Sequence, residues 1–286
     1  MKLLVFGKTG QVARELARRC PAGFDAQFLG RDEADLSDPD RCALAIAEAN
    51  VDAVINVAAW TAVDTAETAE LEATVVNGEA PGAMARACAA KAIPFLHVST
   101  DYVFNGSGSD AFIPDHPTAP LGAYGRSKLA GEEAIRASGA RHLILRTSWV
   151  VSAHGANFVK TMLRVGSDRD NLNVVSDQIG GPTPAAAIAD ALYRAATAMT
   201  AGHAGGTHHF AGTPDVSWAD FARSIMEAAH LPCQIEDIPT SDYPTPAQRP
   251  LNSRLDCTSF TREFGVARPD WKIGLQSIIS ELGEET

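Results

Sequence analysis

Tyr124 and Lys128 stand four residues apart in the run Tyr124-Gly125-Arg126-Ser127-Lys128, within a stretch (123–137) of helical pattern. On a helix, residues at that spacing share one face, so the phenol and the ammonium can address the same ligand. A free phenol has a pKa of about 10, too high for ready proton exchange at neutral pH. A nearby ammonium stabilises the phenolate and lowers that value, each unit being worth about 1.4 kcal/mol. That tuning is what a general acid for ketone reduction requires. The pair alone is commonplace, since an exposed aromatic and a solvated lysine on a helix have the same spacing.

Four other segments, each following an expected strand, join it. Ser99-Thr100-Asp101-Tyr102 follows the apolar run Phe95–Val98, read as a strand, and so lies at a carboxyl edge where parallel sheets bind ligands. A hydroxyl there can hydrogen-bond a carbonyl oxygen, although Thr100 could equally cap a turn and Asp101 pair locally. Asn56-Val57-Ala58-Ala59-Trp60-Thr61 leaves another strand, and its small alanines would let a flat cofactor lie against the backbone. Gly7-Lys8-Thr9-Gly10-Gln11-Val12-Ala13 follows the first strand, where glycines permit a tight turn and set a pyrophosphate on the next helix N-terminus. Its spacing departs from G-x-G-x-x-G. A phosphate loop of the Gly-Lys-Thr kind is excluded, because Lys2 stands where that motif needs its first glycine. Gly30-Arg31-Asp32 follows the second strand, where an adenosine ribose is read; the arginine suits a 2′-phosphate and leans toward NADPH over NADH.

The elements that must position these residues alternate. Strands are expected at Lys2–Phe6, Ala26–Leu29, Ala53–Val57, Phe95–Val98 and His142–Leu145. Helices are expected at Gln11–Cys20, Pro39–Glu48 behind an Asp38 cap, Pro81–Lys91 and Ala123–Ala137. Such alternation implies parallel strands joined by right-handed crossovers, an α/β doubly wound sheet. Beyond residue 150 the pattern loosens: helices are expected at Asn157–Val165, Pro184–Ala198 and Trp218–Ala229 (Ser217 as N-cap), and a strand at Thr207–Ala211. The prolines at 239, 244, 246 and 250 suggest an ordered loop over a surface or site. The expected division is a nucleotide-binding core over 1–150 and a mainly substrate-binding lobe over 151–286, with some segments returning to the core.

Composition narrows the class. The 286 residues carry 24 Lys+Arg against 35 Asp+Glu, a net charge of −11, with 45% apolar residues. An acidic chain without a Lys/Arg run is not built for nucleic acid or an anionic membrane, and any anionic ligand needs a local site. No apolar stretch approaches a membrane span, and the apolar start at Met1–Phe6 stops too early for a signal-peptide core. The five scattered cysteines, with no C-x-x-C, fit a reducing compartment, so a cytoplasmic enzyme is expected. The histidines offer no zinc-ligand spacing, no G-x-S-x-G elbow is present, and His208-His209 reads as one buried and one exposed side chain.

Taken in order, the glycine turn, Asn-x-Ala-Ala, Ser-Thr-Asp and Y-x-x-x-K resemble the extended short-chain dehydrogenase/reductases. Within that superfamily the chain resembles the dTDP-4-dehydrorhamnose reductase family, through segments Asn56–Glu67, Ser99–Phe104, Tyr124–Glu132, Leu145–Val150, Asp177–Thr183 and Arg249–Asp256. The resemblance implies a Rossmann-type sheet with a smaller α/β C-terminal lobe. It also implies hydride delivery from NADPH or NADH to the C4 ketone of a nucleotide sugar. By position, Tyr124 would be the general acid, Lys128 would lower its pKa and hold the nicotinamide ribose, and Thr100 would polarise the carbonyl. Gly7, Gly10, Gln11 and Val12 would cradle the pyrophosphate; Arg31, Asp35 and Leu36 would lie near the adenosine, and Ala58, Ala59 and Thr61 along the cofactor. Asp101 and Trp149 match sugar-contacting positions, and Arg249 would hold the diphosphate. Trp60 stands where relatives often have histidine. Some members bind Mg2+ at a dimer interface; Glu15 alone matches, so no metal is predicted, and a homodimer rests on the resemblance only. The other readings are a reductase or epimerase of a related 4-keto-6-deoxy sugar nucleotide, or a non-catalytic regulatory subunit of the same lineage.

Overall fold

The computed structural model describes residues 1–284. The chain opens with β1 (Lys2–Phe6), α1 (Gln11–Arg18), β2 (Asp25–Leu29), α2 (Pro39–Glu48) and β3 (Ala53–Asn56). Two short helices, α3 (Val63–Ala66) and α4 (Glu70–Thr74), run through a π-helical turn (Val75–Glu79) into α5 (Ala80–Ala90). Then come β4 (Phe95–Thr100), a 3-10 turn (Asp101–Val103), α6 (Ala123–Ala137) and β5 (His142–Thr147). The second half contains β6 (Val150–Val151), α7 (Phe158–Gly166), β7 (Asn171–Val175), β8 (Ile179–Gly180), β9 (Thr183–Pro184), α8 (Ala185–Thr200) and β10 (Gly206–His209). It ends with β11 (Val216–Ser217), α9 (Trp218–Ala228), β12 (Gln234–Ile238), β13 (Asn252–Ser253), α10 (Thr258–Phe264) and α11 (Trp271–Glu284).

Six strands form one parallel sheet in the order β10-β5-β4-β3-β1-β2. The pleat sends alternate residues to opposite faces. Leu3, Val5, Ile55, Leu143 and Leu145 pack beneath α1, α8 and α10. Leu4, Phe6, Val54 and Ile144 face α2, α5 and α6. Burial on both faces explains why these strands read as unbroken apolar runs. The sequence direction reverses between β1 and β3, the topological switch point at which doubly wound sheets open a crevice for ligands.

Local signals hold where they were expected: Asp38 accepts from the Arg41 amide at 3.0 Å, and Ser217 caps α9 through the Asp220 amide at 3.0 Å. Two findings differ. β7 and β12 pair as a parallel ribbon outside the main sheet, and their half-exposed, polar-interrupted residues carry no strong period. Both His208 and His209 are buried, because β10, although an edge strand, is covered on one face by Phe260 and Phe264 and on the other by Phe104.

A separate apolar cluster (among others Val159, Phe221, Ile225, Trp271 and Leu275) joins α7, α9 and α11 beside the ribbon. α8, β10 and α10 return to the main sheet. No helix among the described residues is long and apolar enough to cross a membrane.

Candidate active site

Gly7 ends β1 at φ +119°, a backbone conformation that disfavours side chains; an added Cβ would sit 3.0 Å from Val57 Cγ2. The chain beyond β1 therefore lies directly against the chain leaving β3. Gly10 caps the eight-residue α1 without any side-chain cap, and nothing stands within 4 Å of where its Cβ would be. The open amides and the helix dipole there fit a phosphate. Gln11 is already engaged: its Oε1 accepts from Ser152 Oγ at 2.8 Å and Asn157 Nδ2 at 3.0 Å, and its Nε2 donates to Val150 O at 3.3 Å. Its side chain clasps the phosphate-side helix to the loop after β6, leaving its backbone amide for a ligand. Val12 packs on the core beneath.

At the adenosine end, the Arg31 side chain is 89% exposed and reaches Asp35 at 3.8 Å. Asp35 accepts from the Ser37 amide at 2.9 Å, which, with the Ser37 hydroxyl and the Arg31 charge, holds its carboxyl below the usual range. Leu36 is buried among Phe6, Leu29 and Ala34, so its side chain serves the core. Ala58 and Ala59 are half-buried and Thr61 is exposed along the run leaving β3. Asn77, in the π-helical turn, holds that run in place: its Oδ1 accepts from the Trp60 amide at 2.8 Å while its Nδ2 donates to Trp60 O and to Ser127 Oγ, both at 3.0 Å. A π-turn re-aims its residues, and here it points one amide at both a strand-exit segment and the helix bearing Tyr124.

α6 starts behind Gly122, where the Glu67 carboxylate accepts from the Ala123 amide, 56 positions on, at 2.8 Å. Gly125 lets α6 press against the turn after β4, since a Cβ would meet Tyr102 O at 2.3 Å. That approach packs Tyr102 edge-on to Tyr124, with ring centroids 5.4 Å apart. Burial pushes the Tyr124 phenol above its ordinary pKa; the Thr100 hydroxyl opposes this by hydrogen bonding, while Asp101 and Tyr102 reinforce it. The expected lowering by Lys128 is not what this arrangement gives, because Lys128 is committed elsewhere. Its Nζ lies 2.8 Å from Val98 O and 3.0 Å from His97 Nε2. Burial lowers the Lys128 ammonium to about 8.

Thr100 Oγ1 donates to Asp101 Oδ1 at 3.0 Å and accepts from the Tyr102 amide at 3.2 Å. Burial raises the Asp101 carboxyl to about 6 against the pull of Ser253 and Thr100. Its Oδ2 has no hydrogen-bond partner among the described residues, nor does Arg249 Nη1. Arg249 donates through Nη2 to Asp64 Oδ2 at 2.7 Å, and the Ala247 amide donates to Asp64 Oδ1 at 3.1 Å. The proline-rich loop is thus strapped to α3. Trp149, between β5 and β6, has φ +49°, a strained non-glycine backbone, and stacks on Trp218 at 3.5 Å between centroids. Beneath the site, buried Glu132 binds Arg146 and Ser99.

The structure therefore brings Thr100, Asp101, Tyr124 and Lys128 to one strand edge, with Arg249 arriving from the C-terminal loop. Residues not marked by sequence spacing are Asn77, Glu67, His97 and Ser253, all placed by long-range packing. Glu15 is held by Arg18 at 2.9 Å, and no group of three His, Cys, Asp or Glu among the described residues is placed to hold a metal.

These features can be set beside known proteins. Residues 1–284 match the family model described as the RmlD substrate binding domain. A dTDP-4-dehydrorhamnose reductase from Burkholderia thailandensis is 43% identical, with 99% of each chain covered. The solved dTDP-4-dehydrorhamnose reductase of Clostridium acetobutylicum superposes with a TM-score of 0.93 at 30% identity, covering 99% of this chain and 100% of that one. That of Bacillus anthracis, solved in complex with NADP, gives 0.91 at 29% identity, with 98% and 99% covered. A full-length family match and a relative this similar over the whole chain settle the lineage: the protein belongs to the RmlD substrate binding domain family, whose relatives here are dTDP-4-dehydrorhamnose reductases.

Proposed function

We propose that this NAD(P)H-dependent oxidoreductase reduces the C4 ketone of dTDP-4-dehydro-L-rhamnose to give dTDP-L-rhamnose, with Tyr124 as the general acid. The observation that carries the reading is the buried Tyr124 phenol, packed edge-on to Tyr102 at the carboxyl edge of β4, with Lys128 one turn along the same helix. The full-length similarity to dTDP-4-dehydrorhamnose reductases supports the substrate.

A nicotinamide dinucleotide supplies the hydride when bound. The Gly7 turn and the uncapped Gly10 end of α1 fit its pyrophosphate, with the Gln11 and Val12 amides beside them. Ala58, Ala59 and Thr61 would flank it, and Arg31 and Asp35 would meet its adenosine. Arg31, exposed and free to turn from Asp35, favours a 2′-phosphate and hence NADPH. Thr100 orients the ketone oxygen. A phenol whose pKa is raised by burial keeps its proton at neutral pH and gives it to the nascent alkoxide, a far stronger base. The phenolate left behind accepts a hydrogen bond from the new C4 hydroxyl, and Lys128 would hold the nicotinamide ribose. Asp101, with one carboxylate oxygen unpartnered, and Trp149 would hold sugar hydroxyls, and Arg249 the diphosphate. The lobe over 151–286 would then serve mainly substrate.

The test is isotopic. With cofactor deuterated at the transferable position, the product should carry deuterium at sugar C4 and nowhere else. Deuterium at another carbon, or none, overturns the reading.

A further inference from the structure

Lys128 sits in a hydrogen inventory that does not close for an ammonium. Besides Val98 O, its Nζ faces His97 Nε2 at 3.0 Å. The other ring nitrogen, Nδ1, lies 3.1 Å from Asn56 Nδ2, and Asn56 Oδ1 accepts from the Ala58 amide at 3.0 Å. Amide oxygen and nitrogen look alike, but a backbone N–H can only donate. Ala58 therefore fixes the Asn56 oxygen toward itself and turns the NH2 group to His97. A ring nitrogen facing an NH2 group must accept, so the proton of a neutral imidazole resides on Nε2. That Nε2–H points at Nζ, and only an amine with a lone pair can receive it. Asn56 and His97 are 0% exposed and Lys128 2%, so bulk water does not reach the array to relieve a mismatch.

We propose that Asn56 and His97 favour the neutral amine of Lys128 over its ammonium in the cofactor-free protein, and that, above the cofactor-free Lys128 midpoint, binding of a nicotinamide dinucleotide restores the ammonium by uptake of one proton from solvent. His97 is then a positioning residue that sets the protonation of Lys128. The proton-uptake half rests on the reading of Lys128 as a cofactor contact; the tautomer half does not.

The charges around Lys128 fit. One turn along α6, Glu132 is the carboxylate whose field favours the ammonium, but Arg146 on β5 and Arg136 on α6 already bind it, and Ser99 donates to it. Past the end of β4 lie Asp101, Tyr102 and Tyr124, with Tyr124 and Tyr102 kept protonated by burial. Burial pushes His97 well below its ordinary pKa, so the ring does not take a second proton. Burial lowers Lys128 to about 8, and an N–H aimed at its lone pair pulls in the same direction. A dinucleotide brings two phosphate charges and ribose oxygens that accept hydrogen bonds, both of which favour the ammonium.

Long-range proton–nitrogen NMR of histidine-labelled full-length protein without cofactor, recorded above the Lys128 midpoint, tests the tautomer. His97→Gln identifies the signal. Wild type should show Nε2–H. Asn56→Asp, whose carboxylate accepts from both the Ala58 amide and Nδ1–H, should switch the ring to Nδ1–H and raise the midpoint of carbon-labelled Lys128. Nδ1–H in wild type overturns the proposal, and this arm needs no folded variant at position 56. So does an unmoved Lys128 midpoint in a folded Asn56→Asp protein. Calorimetry of NADPH binding in two buffers of different ionisation heat then counts protons. Close to one proton should be taken up by wild type above the Lys128 midpoint, and close to none by Asn56→Asp. Binding with equal counts overturns the uptake half. No NADPH binding to wild type overturns the cofactor reading and leaves the tautomer result standing.

Discussion

Glu132 and Arg146 form a two-pronged ion pair sealed beneath α6, with Arg146 Nε at 2.8 Å from Oε1 and Nη2 at 2.6 Å from Oε2. Both side chains are almost wholly buried. Ser99, one residue before Thr100, donates to the same carboxylate at 2.6 Å, so the pair ties α6 to the ends of β4 and β5. Removing one partner leaves the other charge buried and unpaired, which costs about 3–5 kcal/mol. Glu132→Ala should therefore lower the unfolding free energy by about that amount in denaturant titration, whereas an exposed pair such as Arg126–Glu70 should cost well under 1 kcal/mol. Equal effects from the two would show that Glu132 does not support the site.

Two buried carboxyl groups give stability opposite pH dependences. Burial raises Glu132, but Arg146, Ser99 and Arg136 outweigh it and hold the folded value below 4.5, so its contribution is present above that value and fades as pH falls through the lower folded value. For Asp101, burial raises the folded value from 3.8 to about 6, so stability is lost as pH climbs between those limits. A shift of that size is worth on the order of 3 kcal/mol. Asp101→Asn should become progressively more stable relative to wild type from about pH 4 to about pH 6. A difference independent of pH would show that the Asp101 carboxyl keeps its ordinary value in the folded protein.

Tyr124→Phe removes one hydroxyl and keeps the ring that packs on Tyr102. Turnover should fall by about 10²–10⁴-fold, the usual worth of a positioned acid, with cofactor affinity nearly unchanged. Lys128→Ala, in contrast, should weaken cofactor binding and slow turnover together. Near wild-type turnover in Tyr124→Phe would remove the phenol from the chemistry.

Asp64 is the anchor of the proline-rich strap, accepting from both Ala247 and Arg249. Asp64 is substantially exposed, so each bond is screened. Asp64→Ala should raise the KM for the nucleotide sugar about three- to tenfold while changing kcat less. A kcat loss at constant KM would place Asp64 in the chemical step.

What sequence could reveal was local. The Y-x-x-x-K spacing, the Asp38 and Ser217 caps and the alternating strand runs each depend on neighbours a few positions apart, and each stands in the structure where expected. The supports were not legible, because their partners lie 31 positions apart for His97–Lys128, 41 for Asn56–His97 and 56 for Glu67–Ala123. Such contacts exist only once parallel strands lie side by side. Gln11 shows the same limit: its position opens the helix after the glycine turn, but its side chain is spent on Ser152 and Asn157, more than 140 positions away.

The most direct measurement follows NADPH absorbance with purified protein and dTDP-4-dehydro-L-rhamnose, and in parallel with the stereoisomer unepimerised at C3 and C5. Rapid oxidation with the first compound alone, yielding dTDP-L-rhamnose, is the result expected. Oxidation at similar rates with both, or none with either, would contradict it.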